Sequence, residues 1–190
     1  MIQYTVLIGA LAMLAGAFVY VKETLQGKTK PNKVTWLMWS IAPLIATAAA
    51  FSDGARWAVL PTFMAGFATL LVFIASFVNP KSYWKLEKFD YLCGIFSLLA
   101  LILWAITKEP LWAVFFAIVG DSFAAIPTII KSWKYPETES GQIYIADLLN
   151  ILTSFFAFKN FNLTEIAFPI YLVLLNSFII IAVYRGRWKK

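Results

Sequence analysis

Seven apolar runs, separated by short polar links, govern what this chain can become. They lie at about 2–21, 34–51, 57–78, 91–107, 111–130, 142–158 and 164–184. Each is near the ~20 apolar residues that carry a helix across a bilayer. Inside hydrocarbon the backbone has no water to bond, so such runs must satisfy their own amides as helices. Hydrophobic residues make up 61% of the chain and charged residues 14%. A soluble domain carries roughly 25% charged residues, so polar groups cannot cover this surface and it is expected to face lipid. The expectation is an all-α integral membrane protein with seven transmembrane helices. The fourth and sixth runs are short, which leaves their ends open. MIQYT has no basic region and lysines follow the first run, so that run reads as a retained helix and not as a cleaved signal.

The links set orientation. With seven spans, links one, three and five and the tail RGRWKK share a face. That face holds Lys22, Lys28, Lys30, Lys33, Lys81, Lys85, Lys88, Lys131, Lys134, Arg185, Arg187, Lys189 and Lys190, against Arg56, Lys108 and Lys159 on the other. Cytoplasmic loops are enriched in Lys and Arg. The N-terminus is therefore expected outside and the C-terminus in the cytoplasm. This bias accounts for the net charge of +6 through topology and anionic lipid, and nucleic acid is not an expected partner.

The first three runs and the last three share a plan: helix, basic link with a proline, helix, short outer link, helix with an early proline. Lys22 aligns with Lys131, Pro31 with Pro136 and Pro61 with Pro169. The plan divides the chain into a first three-helix repeat at 1–78, a linker helix at 79–108 and a second repeat at 109–190. Four helices separate equivalent positions, so both copies run the same way, as in parallel-repeat transporters.

The segment AIPTIIKSWKYPETESG (Ala125 to Gly141) resembles the PQ-loop signature of the SWEET and PQ-loop superfamily. Pro127 and Thr128 stand where that family has a proline–glutamine pair. Lys131, Lys134 and the Glu-Ser-Gly tract fit its basic loop and helix restart. Phe18 and Val19 occupy the corresponding place in the first half. Thr62 follows Pro61 and Ile170 follows Pro169, where the SWEET pattern has an asparagine. The resemblance implies a three-plus-one-plus-three SWEET-like bundle and a solute-facing cavity, with the first-helix proline of a repeat acting in opening and closing. It implies transport of sugars or amino acids, or, in the receptor branch, peptide binding and sorting.

Individual residues supply candidates. Asp121 lies in the fifth run, where a charged side chain costs ~2.5–3.5 kcal/mol on insertion scales. It is expected to face the bundle interior, with Ala124, Ala125 and Thr128 on its helical face leaving room beside it. Tyr144, Asp147, Asn150 and Ser154 form one stripe on the sixth run, readable as a cavity wall or as glue between helices. Trp36, Trp39, Ser40, Pro43 and Thr47 form another on the second. Trp36 reads as an interfacial anchor, while Trp39 is deeper, open to packing or to stacking on a solute. Asn176 is a further buried polar group. Pro43, Pro61, Pro127 and Pro169 fall inside runs, where proline removes a backbone donor and favours a kink. They are candidate hinges, and Gly9 and Gly16 are softer candidates in the first run.

Enzyme chemistry lacks parts. The chain has no histidine and one cysteine, Cys93, in an apolar run. IVGD lacks the first glycine of the GxGD motif of intramembrane aspartyl proteases. No metal or cofactor is expected. The expected function is a transporter of a small polar solute by alternating access, passive or proton-linked, in the plasma (inner) membrane of a prokaryote. The alternatives are a receptor or sorting protein on the same fold, and a structural membrane subunit with a dry centre. The expected partners are the bilayer and the solute, with self-association allowed.

Overall fold

The computed structural model describes residues 2–52, 59–107, 109–157 and 162–185. Among these there are seven α-helices and no strand: α1 (Ile2–Leu25), α2 (Lys33–Ser52), α3 (Leu60–Ala75), α4 (Lys88–Ile106), α5 (Pro110–Lys134), α6 (Gln142–Ser154) and α7 (Leu163–Tyr184). Four of them, α1, α4, α5 and α7, are long and apolar enough to cross a membrane. At 16 and 13 residues, α3 and α6 are shorter than the ~20 residues a bilayer core requires. A 3₁₀ turn, Phe155–Ala157, extends α6.

Local chemistry sets the helix ends. Pro110 opens α5 in its first turn, where proline forfeits no helical hydrogen bond. The helix stops at Tyr135, just before Pro136. Glu87 and Asp90 form a reciprocal capping box at the start of α4. Gly27, at φ 77°, closes α1 in the left-handed conformation that favours glycine.

Several boundaries differ from the sequence expectation. Both α1 and α5 run further toward the basic end, so Lys22, Lys131 and Lys134 stand on helices and not in links. The third run contracts to Leu60–Ala75. Pro61 consequently sits in the first turn of α3, where it breaks no helical bond and has no mid-helix kink to make. Pro43, Pro127 and Pro169 do lie inside their helices.

The neighbour relations form a ring. Going round it, α1 packs on α3, α3 on α2, α2 on α5, α5 on α7, α7 on α6, and α6 back on α1. The order 1-3-2 of the first half recurs as 5-7-6 in the second. The remaining helix, α4, stands outside the ring against α5 and α2.

Glycines bring some of these helices close. A Cβ on Gly9 would strike Thr153, and one on Gly16 would strike Ala146, both on α6. The two glycines thus serve helix approach. Gly66 performs the same service for α3 against Leu44 of α2. Apolar side chains cover much of the exterior, with Phe89, Leu92, Ile95, Phe96 and Leu99 of α4 all exposed. So much exposed apolar surface is foreign to soluble monomers.

One end of the ring collects the basic residues. There Lys30 N–H donates to Thr138 O at 2.9 Å, and Asn79 Nδ2 donates to Leu25 O at 2.8 Å. Asn32 Nδ2 donates to Asp90 Oδ1 at 2.9 Å, and the Arg185 guanidinium donates to Trp133 O. All the basic residues assigned to the cytoplasmic face lie at this end, except Arg187, Lys189 and Lys190, which are outside the described residues. Arg56, Lys108 and Lys159 are outside them too.

Candidate functional site

The ring encloses a cavity of about 180 Å³. All six ring helices contribute to its wall, from Met13 of α1 to Asn176 of α7. Drug-sized ligand pockets run to ~300–1,000 Å³, so this one suits a smaller guest. Every residue singled out for solute or proton contact lines it: Trp39, Asp121, Tyr144, Asp147, Asn150 and Asn176. Asp121 and Asp147, from the two different helices α5 and α6, share this one space.

Each acid has one firm partner. Tyr171 Oη donates to Asp121 Oδ2 at 2.9 Å, and Ser122 Oγ donates to Tyr171 Oη at 3.1 Å. Asn176 Nδ2 donates to Asp147 Oδ2 at 2.9 Å and to Leu172 O at 3.0 Å. Asn150 Nδ2 donates to Pro61 O at 3.2 Å, which pins α6 to the first turn of α3. Other polar atoms of the same wall are buried without a hydrogen bond: Asp147 Oδ1, Asn150 Oδ1, Trp36 Nε1 and Trp39 Nε1. The Trp39 indole N–H lies near enough to Asp121 to feel its carboxylate, but makes no bond of good geometry. Orphaned buried donors and acceptors are rare in folded proteins and call for an explanation.

Pro43 shapes the wall in a second way. Its missing N–H frees the carbonyl four residues back, that of Trp39. Thr69 Oγ of α3 stands 3.0 Å from that oxygen. The hydroxyl shares its single proton with Ala65 O and Gly66 O. A neighbouring helix thus takes over the bond the proline removes.

Two sequence expectations change here. Trp36 is 1% exposed, a core residue and not an interfacial anchor. Its ring lies 4.8 Å from Tyr20 and 5.5 Å from Trp39. Ala124, Ala125 and Thr128 are buried and do not belong to the cavity wall, so the space beside Asp121 is not theirs. Pro127 is buried as well, away from the wall, whereas Pro43, Pro61 and Pro169 line it.

A polar cluster between the cavity and the basic end was not foreseen. Lys131 Nζ stands 2.5 Å from Glu139 Oε1, with side-chain exposures of 1% and 0%. Tyr20 Oη donates to Glu139 Oε2 at 2.7 Å, and Tyr144 Oη lies 3.5 Å from the same oxygen. Lys131 Nζ also donates to Lys30 O at 2.5 Å, and it lies 5.3 Å from the centre of the Trp84 ring. With the rings of Tyr20, Trp36 and Tyr144 packed at a tilt beside it, the cluster joins α1, α2, α5 and α6. In the sequence both charges look like ordinary members of a basic link, and only their helical register and burial reveal the pair.

Comparisons with protein-family models, with curated proteins and with solved structures gave no match.

Proposed function

We propose that this chain is a seven-span membrane protein that carries a small polar solute through its central cavity by alternating access. One observation carries the reading: a void walled by all six ring helices holds Asp121, Asp147, Asn150 and Asn176, with buried polar atoms left unpaired. Acids at such depth are costly, and a packed, dry structural centre has no use for them. The recurrence of the 1-3-2 order as 5-7-6 supports a parallel repeat with α4 as linker, of the SWEET-like kind. Binding between two repeats is the habit of such carriers.

The basic end is cytoplasmic on this reading and the N-terminus is outside, in the inner membrane of a prokaryote. Short α3 and α6 are compatible with this placement, because irregular backbone at membrane depth is tolerated where protein covers it. The Lys131–Glu139 cluster then closes the cytoplasmic mouth of the cavity, and kinks at Pro43, Pro127 and Pro169 supply the bending.

The test is solute-dependent thermal stabilisation of the purified protein, followed by uptake into proteoliposomes. A guest of the folded state raises the melting point by mass action. A panel of sugars, amino acids, amines, nucleosides and short peptides should contain at least one small solute that stabilises the parent and is accumulated or equilibrated by vesicles. Stabilisation by peptides without uptake would turn the reading toward a receptor. No response to any solute would leave the acids as structural groups.

A further inference from the structure

We propose that the guest of the central cavity is a small organic ammonium ion without a carboxylate, such as an amino alcohol or simple amine. This rests on the solute-binding reading and narrows it by the chemistry of the wall.

The wall is one-sided in charge. It carries Asp121 and Asp147, and among the described residues no Lys or Arg lines it. The nearest buried cation, Lys131, is held by Glu139 outside the cavity. An anion, or the carboxylate of a zwitterionic amino acid, would meet two acids and no counter-charge in a site of low dielectric. A neutral sugar would bring no counter-charge to either acid. A cation answers both objections.

The unpaired atoms agree with this. Asp147 Oδ1 and Asn150 Oδ1 are acceptors lacking a donor, and Asn150 is 2% exposed. An ammonium group or a hydroxyl on the guest can donate to them. The indole N–H of Trp36 is a donor lacking an acceptor, and a guest hydroxyl oxygen can accept from it. Aromatic faces complete the recognition. Trp36, Trp39 and Tyr144 lie mutually within 5.5 to 6.4 Å by ring centres, and Phe168 joins them on the wall. Aromatic faces attract cations and are the usual means of holding quaternary ammonium groups.

The experiment uses matched probes on the full-length protein in detergent. These are choline, ethanolamine, glycine betaine, the uncharged carbon analogue of choline in which a tert-butyl group replaces trimethylammonium, and glucose. The expected result is stabilisation by choline or ethanolamine, with glycine betaine and the uncharged analogue without effect. Asp121→Asn and Asp147→Asn should each weaken the amine response at least about tenfold, as loss of a charge-assisted contact does. Trp39→Phe, which keeps a ring, should retain more of the response than Trp39→Leu, and this pair stays informative if an aspartate variant fails to fold. Stabilisation by glucose or glycine betaine and not by the amines would overturn the proposal while leaving solute binding intact. An equal response to choline and to its uncharged analogue would overturn it as well. Silence toward every solute in this set and in the wider panel would overturn both readings.

Discussion

Lys131 and Glu139 form an ion pair at 2.5 Å that solvent does not reach. The two residues are separated by a single loop turn, yet the pair ties α5 to α1 and to the α1–α2 link, because Glu139 also accepts from Tyr20 and Lys131 reaches the carbonyl of Lys30. Burying two charges is expensive, and removing one partner strands the other. Lys131→Met alone is expected to destabilise by about 3–5 kcal/mol, seen as a large fall in melting temperature. The double variant Lys131→Met, Glu139→Leu should recover much of that loss. A double variant no better than the worse single one would show that the pair is not the source of the cost.

The same cluster is expected to control water access. In a Cys93→Ser background, Ser154→Cys places a thiol on the cavity wall. Labelling by a membrane-impermeant thiol reagent added from the basic side should be slow, and Glu139→Gln should speed it about tenfold or more, equivalent to ~1.4 kcal/mol lost from the closed state. Unchanged labelling would show that the cluster does not seal that mouth.

Asn176 protects Asp147. Asn176→Ala removes the donor at 2.9 Å and leaves a buried carboxylate with no firm partner, at a cost of about 1–3 kcal/mol. In the Asp147→Asn background the same change should cost much less, since the charge is already gone. Equal costs in the two backgrounds, measured by chemical or thermal unfolding, would deny the coupling.

Pro43 and Thr69 should couple as well. Thr69→Val deprives the freed Trp39 carbonyl of its donor, and about 1 kcal/mol is expected for a hydrogen bond of this kind. With Pro43→Ala the backbone N–H of residue 43 returns to that carbonyl, and Thr69→Val should then be close to neutral. A double-mutant cycle reads the difference directly.

Glycine at the α1–α6 seam is required by space. Gly16→Ala drives a methyl group into Ala146 and toward Gln142 O, and overpacking of this sort costs about 1–3 kcal/mol. Gly16→Ala combined with Ala146→Gly should restore part of the loss. Gel filtration and melting temperature measure both.

The helices and the cavity wall were legible because their signals are local. Run length gave all seven helices, and a polar stripe at helical spacing put Tyr144, Asp147, Asn150 and Ser154 on one wall. Asp121 and Asn176 were found as polar groups at depth, and Trp39 by its depth on the second run. The misreadings share a cause: they concern register and partners, which no single run encodes. Trp36 has the sequence position of an interfacial anchor, but the ring folds Tyr20 and Tyr144 over it. Ala124 and Ala125 share a face with Asp121, but neighbouring helices claim that face. Lys131 was placed in a link because its helix was ended too early. Pro61 looked internal because the third run was begun too early. The buried pair had no sequence signal beyond a lysine eight residues before a glutamate.

The ring's two halves meet along two seams, and they are closed by different means. Along one, Gly9 and Gly16 let the backbones of α1 and α6 approach until a methyl group has no room. Along the other, where α2 meets α5, α4 lies across both helices like a batten, with Gly94 against Val34 on one side and Gly120 against Ala100 on the other. In a bilayer this construction would keep acyl chains out of the two seams where the halves of the ring meet. On the carrier reading, a guest that enters along the ring axis comes from water already hydrated and sheds that shell inside.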